Sequence, residues 1–192
     1  MHPTIFAAFR QILSGLSIQG RVLEVGAVPS TSSLLALDVL DKSERLGINL
    51  GGNSEFGGFK IIQGNGNDMH MFPDGHFDCA LSNATIEHDP FFWKTISEIR
   101  RVLRSGGVMV MGAPGFTHET GLEELRIEPP WEEDDVRSWR SSALTYRFHG
   151  APDDYYRFST SAFQKVIFDG YRDVTVKSIM VPPRLIGYGF RL

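Results

Sequence analysis

Apolar positions along the chain switch repeatedly between two periods. Ile5, Phe9, Ile12 and Leu16 recur at three- and four-residue spacing, which predicts an amphipathic helix ending near Gly20. Residues 22–25 (Val-Leu-Glu-Val) form a short β-branched run, a predicted first strand that meets Gly26 and a small-residue turn. Leu34, Leu35, Leu37 and Val39 follow, so a helix is expected through about Leu40. Residues 44–50 read as a second strand, 51–58 as a Gly-rich loop, 59–62 as a third strand and 64–68 as a polar turn. Residues 72–78 turn the chain into a fourth strand at 79–82.

The second half continues the alternation before breaking it. Asp89 and Pro90 are placed as N-cap and first helical residue. Phe92, Ile96, Ile99 and Leu103 are the expected buried stripe, and Gly106-Gly107 the stop. Residues 108–111 are continuously apolar, as in a strand covered on both faces. Residues 116–154 leave this pattern and hold Trp131, Trp139, Tyr146 and an acidic run at 132–135. A segment of that length outside the core alternation is usually functional or mobile. Ser159 then caps a helix with Phe163, Val166 and Ile167 inward and Gly170 closing it. Residues 172–180 and 185–190 are the last two strands, joined at Pro182-Pro183. Strand alternating with helix predicts a doubly wound α/β sheet.

Composition narrows the class. A chain of 192 residues is one ordinary domain that buries about 70% of its unfolded surface. A net charge of −4 argues against nucleic-acid or anionic-membrane binding, which needs clustered Lys and Arg. Arg100, Arg101 and Arg104 do cluster, but in the last turn of a helix, where cations suit the dipole. The single Cys79 lies in an apolar run and reads as a buried thiol, which fits a reducing, cytoplasmic location. No stretch has the length and apolarity of a membrane span. His70 and His76 lack a further ligand at metal-binding spacing, so no metal is expected.

The first strand, its turn and the following helix make the unit on which α/β proteins bind nucleotides. Gly26 would let backbone approach a ligand, and the free N–H groups of the next helix would favour polar or anionic groups.

Several motifs carry a family resemblance. Residues 22–26 (Val-Leu-Glu-Val-Gly) resemble the first motif of class I S-adenosylmethionine-dependent methyltransferases. Residues 72–83 resemble their middle motif, followed by Ile86-Glu87-His88 and by 98–111 in the order seen among small-molecule methyltransferases. Residues 154–159 (Asp-Tyr-Tyr-Arg-Phe-Ser) are similar to a segment of bacterial members. The resemblance covers roughly residues 20–192. It implies a single Rossmann-like domain over 1–192, with an N-terminal helix at 1–19 and a substrate-choosing segment at 116–154. The implied sheet is seven-stranded and mostly parallel with its last strand antiparallel, and the cofactor is S-adenosyl-L-methionine. Glu24, Gly26 and Ala27 would lie beside the methionine part, Asn49 at the ribose, and Asn65, Gly66, Asp68 and Met69 at the adenine. Ser82, Asn83 and His88 would face the sulfonium and the acceptor.

Two departures stand out. Val28 and Ser30 replace the two further glycines of the first motif, and Asn49 replaces the acidic ribose clamp. On that placement Asn49→Asp should tighten cofactor binding, and a bulky residue at Gly26 should abolish it without unfolding the chain. For an acceptor that must lose a proton, His88 and His149 are the candidate bases, or else a helix-entry and a solvated loop histidine. Asp153, Asp154, Tyr155 and Arg157 form a candidate substrate cluster, or else a turn and a surface pair. Trp131, Trp139 and Tyr146 either line an acceptor pocket or anchor a long loop. Three functions remain open: methyl transfer to a small molecule, a non-catalytic binding or scaffold relative, and a nicotinamide-dependent oxidoreductase. The expected partner is a small-molecule acceptor, with no nucleic acid or membrane and with a homodimer as one form of assembly.

Overall fold

The computed structural model describes residues 1–116, 153–179 and 183–192. Among the described residues eight strands form one sheet: β1 (Arg21–Val25), β2 (Glu44–Asn49), β3 (Ser54–Phe56), β4 (Phe59–Gln63), β5 (Phe77–Asn83), β6 (Leu103–Pro114), β7 (Tyr171–Ile179) and β8 (Arg184–Arg191). Their order is β3-β4-β2-β1-β5-β6-β8-β7. The strands from β4 to β6 pair in parallel, while β8 runs antiparallel to both β6 and β7. The doubly wound, mostly parallel architecture with an antiparallel last strand is therefore present, with eight strands instead of seven.

The eighth strand is β3, which sequence reading placed in a loop. Gly57 and Gly58, at φ +53° and +81°, close a two-residue hairpin onto β4, and Phe56 packs on Phe59 with ring centroids 5.9 Å apart. A Gly-Gly pair between two phenylalanines is a hairpin signal, because such turns need positive φ at both positions.

Helix α1 (Pro3–Leu16) buries Ile5, Phe9 and Leu13 on one face of the sheet. Helix α2 (Phe92–Val102) buries Thr95, Ile96, Ile99 and Val102 on the other. The helix expected after β1 is absent. Leu34–Ala36 and Asp38–Leu40 are two 3-10 turns separated by Leu37 in extended conformation. Leu34, Leu35, Leu37 and Leu40 are all fully buried, and those positions point to every side of an α-helix. Two short turns bury all four; one amphipathic helix could not.

Smaller boundary corrections have similar causes. Asp89 accepts the Phe91 N–H (2.8 Å), the Thr95 hydroxyl (2.7 Å) and the Asn67 amide (2.9 Å), while regular α2 begins at Phe92. Leu103 leaves the helix to pair with Phe77, which puts Gly106-Gly107 inside β6 at an irregular step instead of at a helix end. Ser159 caps α3 (Thr160–Ala162) through the Ala162 N–H, as expected. Residues Phe163–Ile167 continue as a π-turn that buries Phe163 and Ile167 and leaves Val166 half exposed, contrary to its expected inward position.

The arginine cluster serves the fold. Arg101 donates to Glu98, Asp74 and the carbonyls of Phe72 and Met69, and Arg104 pairs with Asp78. Arg101→Met is expected to lower stability by about 2–3 kcal/mol in urea titration, because it strands Glu98 and two loop carbonyls. Cys79 is fully buried, and burial pushes its thiol pKa up.

Candidate active site

The parallel strands deliver their carboxyl ends to one edge, where the chain loops from β1, β2, β4 and β5 converge. The last carbonyl of β1, Val25, accepts the hydroxyls of Ser82 (3.0 Å) and Thr85 (3.3 Å). Gly26 and Ala27 then turn away to donate their N–H groups to Ile48 of β2. Gly26 has φ +87°, and a Cβ on it would lie 2.2 Å from the Thr85 hydroxyl. The glycine is needed both for backbone conformation and for the approach of Thr85.

Glu24 does not reach this edge. Its carboxylate is buried, accepting the Ser33 hydroxyl and the N–H groups of Leu34 and Leu35 (both 3.2 Å). Burial pushes its pKa up, opposed by those bonds. The N–H groups that sequence reading left free for a ligand are spent here. Asn49 donates to the Ala27 carbonyl at 2.7 Å and accepts from Gly51 at 3.2 Å, so its amide locks the ends of β1 and β2 together. This reverses the expectation for Asn49→Asp. A carboxylate facing a carbonyl without a donor should cost about 1–3 kcal/mol in thermal or urea denaturation and should not tighten nucleoside binding.

The β4 loop packs against α2: a Cβ on Gly66 would meet the Thr95 hydroxyl at 2.8 Å. Asn65 accepts the Asn67 N–H at 2.9 Å, Asp68 pairs with His70 at the surface, and Met69 is fully buried with its N–H on Glu98. Asn83 lies over Gly112 on the face that carries Phe9. Apolar side chains nevertheless stand open along this edge: Leu50 is 71% exposed, Val28 39% and Met71 37%.

Beside β5 the turn Ile86–His88 carries the charged groups. Residues 153–158 strap over it, with the Tyr155 and Tyr156 N–H groups on the Glu87 carbonyl (2.8 and 3.3 Å). His88 bonds through Nδ1 to the Asp153 carbonyl. A carbonyl only accepts, so Nδ1 carries the hydrogen and Nε2 of the neutral ring holds the lone pair. That Nε2 lies 3.9 Å from Oε1 of Glu87, whose side chain is fully buried, and Arg184 Nη1 lies 3.9 Å from the same oxygen. Desolvation pushes the Glu87 pKa up to about 7, although His88, Arg184 and Arg157 pull it down. Arg157 and Asp154 form a doubly bonded, buried ion pair, neither a lone turn residue nor a surface pair. Tyr155 donates to Asp153 and is half exposed.

The structure thus gathers His88, Asp153, Asp154, Tyr155 and Arg157 at one place. It adds Glu87 and Arg184, which sequence reading did not single out as site residues. Glu87 had a signal: a carboxylate beside Ile86 in a segment leaving a core strand. Arg184 follows two prolines and had none. His149, Tyr146, Trp131 and Trp139 lie outside the described residues. A groove of about 510 Å³ between α1 and β7–β8, lined by Ile12, Leu16, Ile179 and Tyr188 among others, is built on the sheet face and not on the strand-end loops.

The fold has counterparts among known proteins. Residues 19–111 match the methyltransferase domain family. The fold is that of the class I S-adenosylmethionine-dependent methyltransferases. A methyltransferase of this kind from Archaeoglobus fulgidus superposes with TM-score 0.66 at 13% identity, covering 98% of this chain and 93% of that one. Phosphoethanolamine N-methyltransferase 2 of Haemonchus contortus, solved with phosphomonomethylethanolamine and S-adenosylhomocysteine, gives 0.62 at 12% identity, covering 98% and 52%. A Burkholderia thailandensis 1,6-didemethyltoxoflavin N1-methyltransferase gives 0.62 at 12%, covering 97% and 77%. In sequence, 51 residues are 41% identical to an uncharacterised transposon protein of Streptomyces fradiae, over 26% of this chain and 15% of that one. Among the described residues no helix of this methyltransferase fold is long and apolar enough to cross a membrane.

Proposed function

We propose that the chain is an S-adenosylmethionine-dependent methyltransferase acting on a small-molecule acceptor, with His88 receiving the acceptor's proton. The observation that carries this is the His88 ring: Nδ1 is tied to the Asp153 carbonyl, which places Nε2 beside Glu87 at the carboxyl end of β5 on a side chain 21% exposed.

The residues present fit the cofactor with altered contacts at Glu24 and Asn49. Leu50 and Met71 offer open apolar surface that a purine would cover, beside Asn65, Gly66, Asp68 and Met69. Gly26, Ala27, Ser82 and Asn83 border the methionine end, and Glu24 supports the loop from beneath. Asn49 offers no free carboxylate to the ribose hydroxyls. S-adenosylmethionine, when bound, supplies a methyl carbon on a cationic sulfur that departs with the carbon–sulfur electron pair. The protein's part is to hold the acceptor in line and take its proton at Nε2 of His88. Asp154, Tyr155 and Arg157 flank the acceptor side, and Tyr146 and His149 belong to the segment at 116–154 that we assign to acceptor choice. We place these roles in one domain spanning residues 1–192, in the reducing cytoplasm that the buried free thiol suits.

One observation favours a second reading, a non-catalytic binding or scaffold protein. Thr85 fills the space above Gly26, and the Asn49 amide is tied to backbone. Calorimetric titration with S-adenosylmethionine and S-adenosylhomocysteine separates the two. Micromolar binding is expected; no heat at millimolar ligand, with the protein folded, transfers the assignment to the second reading.

A further inference from the structure

We infer that Glu87 is the positioning residue of His88: its buried carboxylate faces Nε2 and stabilises that nitrogen once it is protonated. This rests on the reading of His88 as the proton acceptor.

Three features of the turn lead there. Among the described residues neither oxygen of Glu87 has a hydrogen-bond partner, although both are buried. A carboxylate so placed needs a cation or donor to answer it. His88 Nε2 is one candidate at 3.9 Å, and it is the one whose charge changes when a proton arrives. The turn is also held still, since the Glu87 carbonyl is gripped by two strap N–H groups and the opposite ring nitrogen by Asp153. The ring therefore cannot swing its lone pair elsewhere without losing the Asp153 bond.

The surrounding charges set the carboxylate's state. Arg184 from β8 faces Oε1 directly, Arg157 from the strap adds positive charge, and Asp154 is committed to Arg157. The step balances: the acceptor's lone pair forms the new bond to carbon, the carbon–sulfur pair stays on sulfur, and the acceptor's proton goes to Nε2. The imidazolium formed there meets the Glu87 carboxylate and later releases its proton to solvent.

The test reads His88 itself. In the full chain, the imidazole carbon and nitrogen signals of His88 are followed by NMR against pH, with His88→Gln to assign them. Glu87→Gln is expected to lower the His88 pKa by about one unit, a tenfold change in proton affinity, and Glu87→Asp to restore part of it. The Nδ1–H tautomer should persist in both. A His88 pKa unmoved in Glu87→Gln, even with lowered stability, makes Glu87 merely structural and overturns the inference. Should Glu87→Gln fail to fold, the reciprocal measurement decides: the Glu87 carboxyl carbon must titrate differently in His88→Gln than in wild type. None of this needs turnover. Failure of the wild type to bind S-adenosylhomocysteine would remove the methyltransferase reading while leaving the coupling measured.

Discussion

Gly26→Val should destabilise the protein by about 4 kcal/mol or more, a large share of a domain's stability. A β-branched residue at φ +87° is strained by about 1–3 kcal/mol. Its Cβ would also fall 2.2 Å from the Thr85 hydroxyl. Thr85 has no easy retreat, because that hydroxyl lies within bonding distance of the Val25 and Asn83 carbonyls, both 3.3 Å away. Together these set the loss at about 4 kcal/mol or more, against a total stability of about 5–15 kcal/mol for a domain. Urea titration measures it, and Thr85→Ala beside the double variant separates most of the two contributions, since the 2.2 Å clash with the hydroxyl vanishes while the backbone strain and a 3.2 Å contact with the Cβ at position 85 remain. A midpoint close to wild type for Gly26→Val would mean that Thr85 does not close over the loop. This outcome departs from what the motif suggests, namely lost cofactor binding in an intact fold. Any binding assay on this position therefore has to be paired with a folding assay.

The alternation of strand and helix was legible because each strand is a short apolar run closed by Gly, Pro or a cap, whereas the antiparallel last strand was implied only by the family resemblance. Helix α1, the Ser159 cap and the buried Cys79 were legible for the same local reasons. The region after β1 was not. Leu34, Leu35, Leu37 and Leu40 look like a helix by count, yet their burial on all sides is a tertiary fact that no local pattern records. The site divides in the same way. His88, Asp153, Asp154, Tyr155 and Arg157 were named from motif order, and the fold brings them together across more than sixty residues of chain. The orientation of side chains was invisible. That Glu24 turns inward to Ser33, or that Asn49 ties Ala27, depends on which backbone groups the loops leave needing partners. Glu87 was readable only as a charged residue in the wrong place. A buried carboxylate in a turn is a local conflict, and such conflicts gather where function requires them.

Glu87→Gln is expected to be more stable than wild type at pH 8 and similar at pH 5. The sign follows from the direction of the shift. The Glu87 carboxyl titrates at about 7 in the folded chain, raised by desolvation from 4.5. Between those values the folded state holds a proton that the unfolded state has lost. Stability therefore falls as pH rises through this window, and the fall is complete above about pH 7. A shift of that size amounts to about 3 kcal/mol, with the pull of Arg184, Arg157 and His88 already included in the balance. Gln keeps the shape of the protonated acid and cannot ionise, so its stability should be flat where wild type declines. Urea titrations of both proteins at pH 5, 6, 7 and 8 check this; parallel curves would mean that Glu87 is not desolvated. The expected gain has a functional meaning. The charge that costs this stability lies 3.9 Å from Nε2 of His88, the group positioned to use it. The same substitution should then stabilise the fold and weaken the base, a pairing that a purely structural glutamate would not produce.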